Sequence, residues 1–346
     1  MKNMSAKTKR NFLTYAMVIL AFVVCQVLIS QRMMSRSLKG QLIPICVYIV
    51  MAVSLNLTVG ISGELSLGHA GFMSVGAFAG IVTGMWLSKG IGVESKLLCL
   101  VLAIFAGGVS AGIAGVLIGI PVLRLRGDYL AIVTLAFGEI IRNVMNCLYI
   151  SIDGHAVHLS FNNPDVAGKL IVNGPAGATG VMKLSTFPMG FVLVMFTLVV
   201  VLNLIDSRSG RAIMAIRDNR IAAEAMGLNV TKYKMMAFVV SAVLAGMAGA
   251  LYGLNYSTVT ASKFKFDTSI LVLVFVVLGG IGNIRGSVIS ATLLTILPEL
   301  LRAFSNYRML IYAIVLILVM LVTNNQTLKS AAKRMVPAKF RKEERS

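Results

Sequence analysis

The sequence has 346 residues, of which 57% are hydrophobic and only 13% are charged. A soluble domain carries roughly 25% charged residues, so this composition excludes an ordinary globular fold and predicts an all-α, polytopic transmembrane helix bundle. The long continuous apolar runs exclude a membrane β-barrel, whose strands are short and alternate in polarity. The net charge of +19 is interpreted as basic loops facing an anionic lipid bilayer, and nucleic acid is not expected as a partner.

Apolar runs predict about ten membrane segments, which together form a transmembrane domain at 11–323. A short segment, 1–10, precedes this domain, and a basic tail, 324–346, follows it. The glycine-rich third run and the charged fifth run are candidates for re-entrant or partly spanning segments. In chain order the runs are 11–30, 41–60, 66–88, 97–120, 128–146, 188–205, 235–256, 268–283, 286–304 and 308–323.

Two polar intervals, 147–187 and 206–234, interrupt the apolar runs. Ten segments place both termini on one side of the membrane, and assigning that side to the cytoplasm puts a modest majority of the lysines and arginines inside. The first interval is then an external, ordered loop with turns. Its His155 and His158 have no further ligand nearby, so no metal site is predicted.

The second interval is a charged cytoplasmic loop that must face water, because no bilayer would hold so many charges. A helix is predicted over 218–226, with Gly227 as its stop signal. A short amphipathic helix standing out of a membrane protein is a candidate handle for a soluble partner. One side of it carries Ile221, Ala222, Ala225 and Met226, and the other carries Arg220 and Glu224.

Glycines spaced four residues apart predict close helix packing, because small residues at i and i+4 allow helix backbones to approach. A secondary interpretation is that these contacts slide during transport. The glycines are Gly76, Gly80 and Gly84, Gly108 and Gly112, Gly115 and Gly119, and Gly249 and Gly253.

Several motifs of enzymes are absent. No GxxxxGK[ST] sequence occurs, so the chain is not expected to hold ATP in a P-loop, and neither HExxH nor CxxC occurs. One GxSxG match, at 108–112, lies inside an apolar run and is interpreted as packing. The glycine-rich stretch 278–286 is predicted to be a tight turn between helices. No catalytic residue is predicted, and the chain is not expected to be an enzyme.

Few charged residues lie in or near the apolar runs. Glu139 and Arg142, three residues apart on one helix face, would neutralise each other as a structural ion pair. A role of Glu139 in a transport pathway stays open, because ionisable residues in membrane segments often serve transport.

Four stretches carry a family resemblance. They are SGELSLGHAGFMSVGAFAG from Ser62, RLRGDYLAIVTLAFGEIIR from Arg124, the stretch from Arg211 to Gly253, and LGGIGNIRGSVISA from Leu278. Over about residues 40–325 the sequence resembles the LivM-type permease subunit of bacterial branched-chain amino acid ABC transporters. The third stretch is similar to the loop by which ABC permeases contact their ATPases, although its Glu224-Ala225-Met226-Gly227 is shorter than the general importer signature.

The resemblance implies a multi-pass subunit of the bacterial cytoplasmic (inner) membrane that imports leucine, isoleucine and valine. Its partners would be a homologous permease subunit, two ATP-binding subunits that use the ATP, and a periplasmic substrate-binding protein, with no cofactor bound by this chain. The ATPase-coupling residues would be Arg211, Arg217, Asp218, Arg220, Glu224 and Gly227. Polar candidates for passing a zwitterion along the translocation path are Ser66, His69, Ser74, Thr134 and Glu139.

Three alternatives stay open. The same ABC machinery would import urea, short amides or another amino acid, since related permeases share these motifs. An ion-coupled secondary carrier would work without ATPases and would need an acid such as Glu139. A membrane scaffold would not affect uptake at all. For His69, a helix-packing role is weighed beside the pathway role.

Overall fold

The computed structural model describes residues 6–31, 35–125, 127–153, 156–161, 169–301, 307, 310–314, 316–317 and 321. The chain divides into two compact units, residues 1–292 and 293–346. The second unit begins within the helix Ile284–Leu300. In chain order the helices are α1 Ala6–Ser30, α2 Arg36–Asn56, α3 His69–Met85, α4 Lys96–Val122, α5 Asp128–Asn146, α6 Phe187–Asp206, α7 Arg208–Asp218, α8 Arg220–Ala225, α9 Val230–Gly253, α10 Phe266–Gly279 and α11 Ile284–Leu300.

The predicted polytopic helical bundle is confirmed. Six described stretches are long and apolar enough to cross a membrane, and each coincides with a predicted segment: Phe12–Ser30, Arg36–Ile61, His69–Ser88, Lys96–Val122, Phe187–Asp206 and Val230–Gly253. The predicted segments 128–146, 268–283 and 286–304 form α5, α10 and α11, which are shorter or more polar. Half of the last predicted segment, 308–323, lies outside the described residues, and the residues 310–314, 316, 317 and 321 in it are helical.

The core lies around α2, α3, α4 and α9. The helix α2 is apolar on all sides. In the most apolar 18 residues of Arg36–Ile61, 89% of the residues are buried, as expected for a helix enclosed by others. Its fully buried residues include Val50, Met51 and Leu55. Around it, α3, α4 and α9 pack on one another through small residues, and α6 packs on α2.

A five-stranded antiparallel sheet occupies much of the first polar interval. Its strands are β1 Leu148–Asp153, β2 Ala156–Phe161, β3 Lys169–Asn173, β4 Ala178–Thr179 and β5 Thr258–Val259, in the order β2-β1-β3-β4-β5. Sequence reasoning predicted an ordered loop with turns here but no strands. The alternation of Leu148, Ile150 and Ile152, all buried, was the available signal for β1. Pairing with β5, which follows α9, fixes the interval to that end of the bundle.

The second polar interval folds as two helices. The predicted single helix over 218–226 is wrong at its start, because Asn219 has an extended backbone (φ −153°, ψ 101°) that ends α7 and begins α8. The Asn219 side chain accepts a hydrogen bond from the Ala222 N–H at 3.0 Å, which caps α8. Gly227 follows with φ +81°, so the predicted helix stop is confirmed.

Two breaks in helical structure matter for the site. A π-helical turn, Leu57–Ile61, ends α2, and a non-helical segment, 62–68, leads from it to α3, which begins at His69 and not at the predicted residue 66. The turn 280–283 joins α10 to α11, as predicted for the glycine-rich stretch, with φ values of +91° at Gly280 and +82° at Gly282. We call the region of the π turn, α7–α8 and the turn 280–283 the α7 end, and the opposite region the sheet end.

Candidate functional site

A buried polar cluster surrounds the start of α3. Ser54 of α2 donates a hydrogen bond to the Met51 carbonyl at 3.0 Å, which leaves its oxygen to accept from Nε2 of His69 at 2.8 Å. The Ser54 carbonyl accepts from the Ser241 hydroxyl of α9 at 2.6 Å. His69 is 2% exposed, so in this conformation it joins α3 to α2 and does not face an open channel.

Two other predicted path residues, Ser66 and Ser74, lie near His69 in the chain and are buried. Neither hydroxyl has a hydrogen-bond partner among the described residues. Leaving such a group unpaired in an apolar interior costs about 1–3 kcal/mol. These two hydroxyls are therefore polar groups available to a passing ligand or to water.

Thr134 ties α5 to the segment before α3. Its hydroxyl accepts from the Leu67 N–H at 3.0 Å and donates to the Ala131 carbonyl at 2.9 Å. A Cβ on Gly68 would lie 2.1 Å from the Thr134 carbonyl oxygen, so only glycine permits this approach. The space beside Gly68, Thr134 and Gly138 holds no room for a water molecule.

The helix α5 presents both charged and apolar side chains away from the core. Nε of Arg142 donates to Oε2 of Glu139 at 2.7 Å, the i, i+3 ion pair that the spacing indicated. Both side chains are partly exposed. Other side chains of α5 are exposed as well, including Tyr129 in its first turn (72% exposed) and Ile140. Charges on such a face are costly against lipid, so this face needs a protein partner or water next to it.

The π turn is held from three directions. Asn56, fully buried, accepts from the Gly282 N–H and donates to the Ser287 hydroxyl, both at 2.8 Å. Glu64, just beyond the turn, forms an ion pair with Lys234 near the start of α9. The third contact comes from α7.

Arg217, predicted as an ATPase-coupling residue, provides that contact. Its Nη1 donates to the Gly60 carbonyl at 2.9 Å, while Nε and Nη2 donate to Oδ1 of Asp218 at 3.0 and 2.9 Å. The structure thus places the Arg217 head group against the bundle. Arg211 donates from Nη1 to the Asp206 carbonyl at 3.0 Å, closing the α6–α7 corner.

The helix α8 is the most exposed element of the α7 end. Ile221 and Met226 are 80% and 83% exposed, and only Ala223 of α8 is buried. Arg220 and Glu224 form an i, i+4 ion pair at 2.9 Å on its surface. Two large apolar side chains are thus strongly exposed at this charged corner.

The predicted packing glycines lie where helices approach one another. A Cβ on Gly76 or Gly249 of one helix would come within 2.1 or 2.0 Å of backbone oxygen in its neighbour. A Cβ on Gly80, Gly84 or Gly253 would likewise lie 2.5–3.6 Å from atoms of neighbouring residues. Gly108 and Gly112 meet side chains of α9, at 2.8 Å in both cases. Ser110 of the GxSxG match donates to the Gly107 carbonyl at 3.0 Å, a helix-internal contact.

Metal binding is not indicated in the described part of the chain, where no three His, Cys, Asp or Glu side chains cluster. His155 lies outside the described residues, and His158 lies on β2. Sequence reasoning missed Ser54, Asn56 and the Glu64–Lys234 pair. Asn56 could have been found, since an amide in the middle of an apolar run needs a polar partner.

A bundle of apolar helices, with a charged helical corner at one end and a small sheet at the other, defines a multi-pass membrane protein of the permease type. A family model described as the branched-chain amino acid transport system / permease component matches residues 38–320, and the chain belongs to this family. The LivM-type resemblance is thereby confirmed.

Curated relatives agree with this assignment. The chain is 33% identical over 309 residues to the high-affinity branched-chain amino acid transport system permease proteins LivM of Salmonella typhimurium and Escherichia coli, covering 80% of this chain and 66% of each relative. It therefore spans just under two thirds of the length of these relatives. The ribose import permease protein RbsC of E. coli is 28% identical over 288 residues, covering 80% of this chain and 82% of the relative. No solved structure gave a significant match.

Proposed function

We propose that this chain is one permease subunit of an ATP-driven importer of branched-chain amino acids. The observation that carries the proposal is the exposed apolar tip of α8, displayed by Ile221 and Met226 in a chain of this permease family. A soluble partner at that tip would supply the ATP hydrolysis for which the chain has no P-loop sequence. Two ATP-binding subunits, a homologous permease subunit and a periplasmic substrate-binding protein complete the proposed assembly.

The α7 end is proposed to face the cytoplasm and the sheet end the periplasm. The interval 206–234 is the more strongly basic of the two polar intervals, which favours the cytoplasmic side by the positive-inside rule. The interval 147–187 then contributes β1–β4 to the surface on which a binding protein would dock. Both termini of the transmembrane domain 11–323, with the segments 1–10 and 324–346, are assigned to the cytoplasm on the same argument.

The translocation path is proposed to run along the exposed face of α5, between this chain and its homologous partner. Glu139 and Arg142 lie on this face as a neutral pair that lipid alone would not stabilise. Behind it lie Ser66, His69, Ser74 and Thr134 around the start of α3, closed off from water in this conformation. ATP-driven movement would open the contact between α3 and α5 so that these polar groups meet the zwitterion.

The main alternative differs from this proposal in the substrate that is transported. Relatives include permeases named for branched-chain amino acids and one named for ribose, so family membership alone does not fix the substrate. A secondary carrier is disfavoured, because the candidate acid Glu139 is already paired with Arg142 at 2.7 Å. A coupling acid must release and rebind a proton or ion freely during the cycle.

Uptake of labelled leucine by cells lacking this gene, with and without the restored chain, tests the proposal. Restored uptake that disappears again when the partner ATPases are deleted is the expected result. Unchanged leucine uptake moves the cargo to another small solute, for which urea, short amides and ribose are the competitors to assay. Uptake that persists without the ATPases would overturn the importer assignment and make Glu139 the candidate coupling residue.

A further inference from the structure

At the end of α2, a backbone carbonyl accepts a hydrogen bond from a side chain of α7. In the π turn, the Ser62 and Glu64 N–H groups donate to the carbonyls of Leu57 and Thr58. The Gly60 carbonyl accepts a hydrogen bond from Nη1 of Arg217, at 2.9 Å. A cation at a helix C-terminus also interacts favourably with the helix dipole, so this contact caps α2 both by hydrogen bonding and by charge.

The Arg217 side chain is fixed along its length. Asp218 accepts from Nε and Nη2 through a single oxygen, which holds the guanidinium plane in place. A Cβ on Gly63 would lie 2.7 Å from Cγ of Arg217, so the aliphatic stem packs directly on the backbone of the segment after the π turn. Gly63 itself has φ +75°, which favours glycine at that point. The contact therefore joins α7 to the π turn through the Arg217 side chain, which remains 38% exposed.

The attached segment leads directly to the closed part of the proposed path. Residues 62–68 run from the π turn to the start of α3, where the Leu67 N–H binds Thr134 of α5. The Glu64–Lys234 ion pair joins the middle of this segment to α9, and both side chains are mostly buried. Any displacement of α7 relative to α9 must therefore move the segment or break one of these two attachments.

We infer that Arg217, together with the Glu64–Lys234 pair, transmits movement of the α7–α8 corner to the α3–α5 contact. The inference rests on the proposed function, since it requires a partner that moves α8. Arg217 acts as a positioning residue through its hydrogen bond to the Gly60 carbonyl, although its side chain remains 38% exposed. The docking surface is formed by α8, whose Asn219 cap separates it from α7.

The test uses the complete transporter, reconstituted in liposomes with its ATPases and binding protein. Arg217→Met keeps the aliphatic stem and removes the hydrogen bonds, and Arg217→Lys keeps the charge. Lys232→Met, an exposed basic residue in the first turn of α9, is the matched control. Co-purified ATPase, ATP hydrolysis and leucine uptake are measured on each preparation.

For Arg217→Met we expect normal co-purification of the ATPases and continued ATP hydrolysis. Leucine taken up per ATP hydrolysed should fall below that of the unmodified transporter, because the α7–α8 corner would then move without displacing the segment 62–68. Arg217→Lys should recover part of this ratio, and Lys232→Met should leave it unchanged. Loss of ATPase co-purification in Arg217→Met would overturn the inference and make Arg217 a docking residue. An unchanged ratio of uptake to hydrolysis would overturn it as well.

A charge exchange provides an independent test if Arg217→Met does not accumulate. Glu64→Lys and Lys234→Glu alone should each lower uptake per ATP, and the double exchange should restore it. Normal coupling in both single variants would refute the linkage. Absence of ATP-dependent uptake in the unmodified transporter would instead refute the proposed function, so the two failures are distinguishable.

Discussion

Because α3 and α9 are in close contact at Gly76, even the substitution Gly76→Ala should destabilise the protein. An added Cβ would lie 2.1 Å from the carbonyl oxygen and 2.3 Å from the Cα of Gly246. Ordinary contact begins near 3.4 Å, so the two backbones must separate locally by about 1 Å or more. No side-chain rotation can relieve this clash, because both neighbouring atoms belong to the backbone. Overfilling a packed interior in this way costs about 1–3 kcal/mol.

Two further glycines provide the comparison for Gly76→Ala. A Cβ on Gly40 of α2 would meet nothing within 4 Å, so Gly40→Ala should be neutral or stabilising by up to about 1 kcal/mol through helix propensity. A Cβ on Gly112 would meet only a methyl group of Val243, at 2.8 Å, so Gly112→Ala should be intermediate.

Thermal unfolding of the purified chain in detergent measures the order of the three variants. A change of 1 kcal/mol shifts Tm by about 2–4 °C in domains of 150–250 residues, so Gly76→Ala should melt several degrees below Gly40→Ala. Leucine uptake by the Gly76→Ala variant should be lower as well. A Gly76→Ala protein as stable as Gly40→Ala would refute the reasoning, since it would mean that α3 and α9 do not approach this closely.

Three further predictions concern polar and exposed residues. Asn56→Leu leaves the Gly282 N–H without its acceptor and should lower stability by about 1–3 kcal/mol, measured by thermal unfolding. Glu139→Leu leaves Arg142 unpaired at a membrane segment and should impair folding or uptake, whereas replacing both residues by leucine should be tolerated better if the pair is structural. Ile221→Asp should reduce ATPase co-purification about ten-fold or more, because it places a charge in an apolar contact, while leaving the thermal stability of the isolated chain unchanged.

Each of these predictions has a matched control. Asn143→Leu, at an exposed amide on α5, controls for loss of an amide and should not lower stability. Complete loss of uptake in both the single and the double leucine variants would assign Glu139 a direct role in transport. Lys232→Asp adds an acidic side chain near α8 without replacing an apolar one. Equal loss of ATPase from Ile221→Asp and Lys232→Asp would point to a general electrostatic effect and not to a docking contact at Ile221.

The apolar runs predicted the helices well because membrane insertion depends on local composition. Every helix of the described residues that is long and apolar enough to cross a membrane was located to within about five residues. The glycine spacing likewise indicated which helix faces lie close together, since small residues are needed wherever backbones approach. Segment 62–68 was assigned in part to a helix, because its apolar residues do not reveal that the Leu67 N–H donates to Thr134 in place of a helical carbonyl.

The polar contacts between elements were not predictable, because they join residues that lie far apart in the chain. Arg217 binds a carbonyl 157 residues away, and Asn56 binds a hydroxyl 231 residues away. Backbone acceptors such as Gly60 leave no mark in the sequence at all. Only the type of residue signals them, as an amide or charge in a place where solvation alone would not satisfy it.

Arg217 and Arg220 show why residue type alone did not separate transmission from docking. Both are arginines in the same charged interval, three positions apart, and a continuous helix would place them on one face. The extended backbone at Asn219 interrupts that periodicity, so Arg217 ends α7 with a hydrogen bond to the π turn while Arg220 begins α8 in an ion pair with Glu224. Variants of the two arginines should therefore affect different quantities. Arg217 variants should change uptake per ATP, and Arg220 variants should change the amount of bound ATPase.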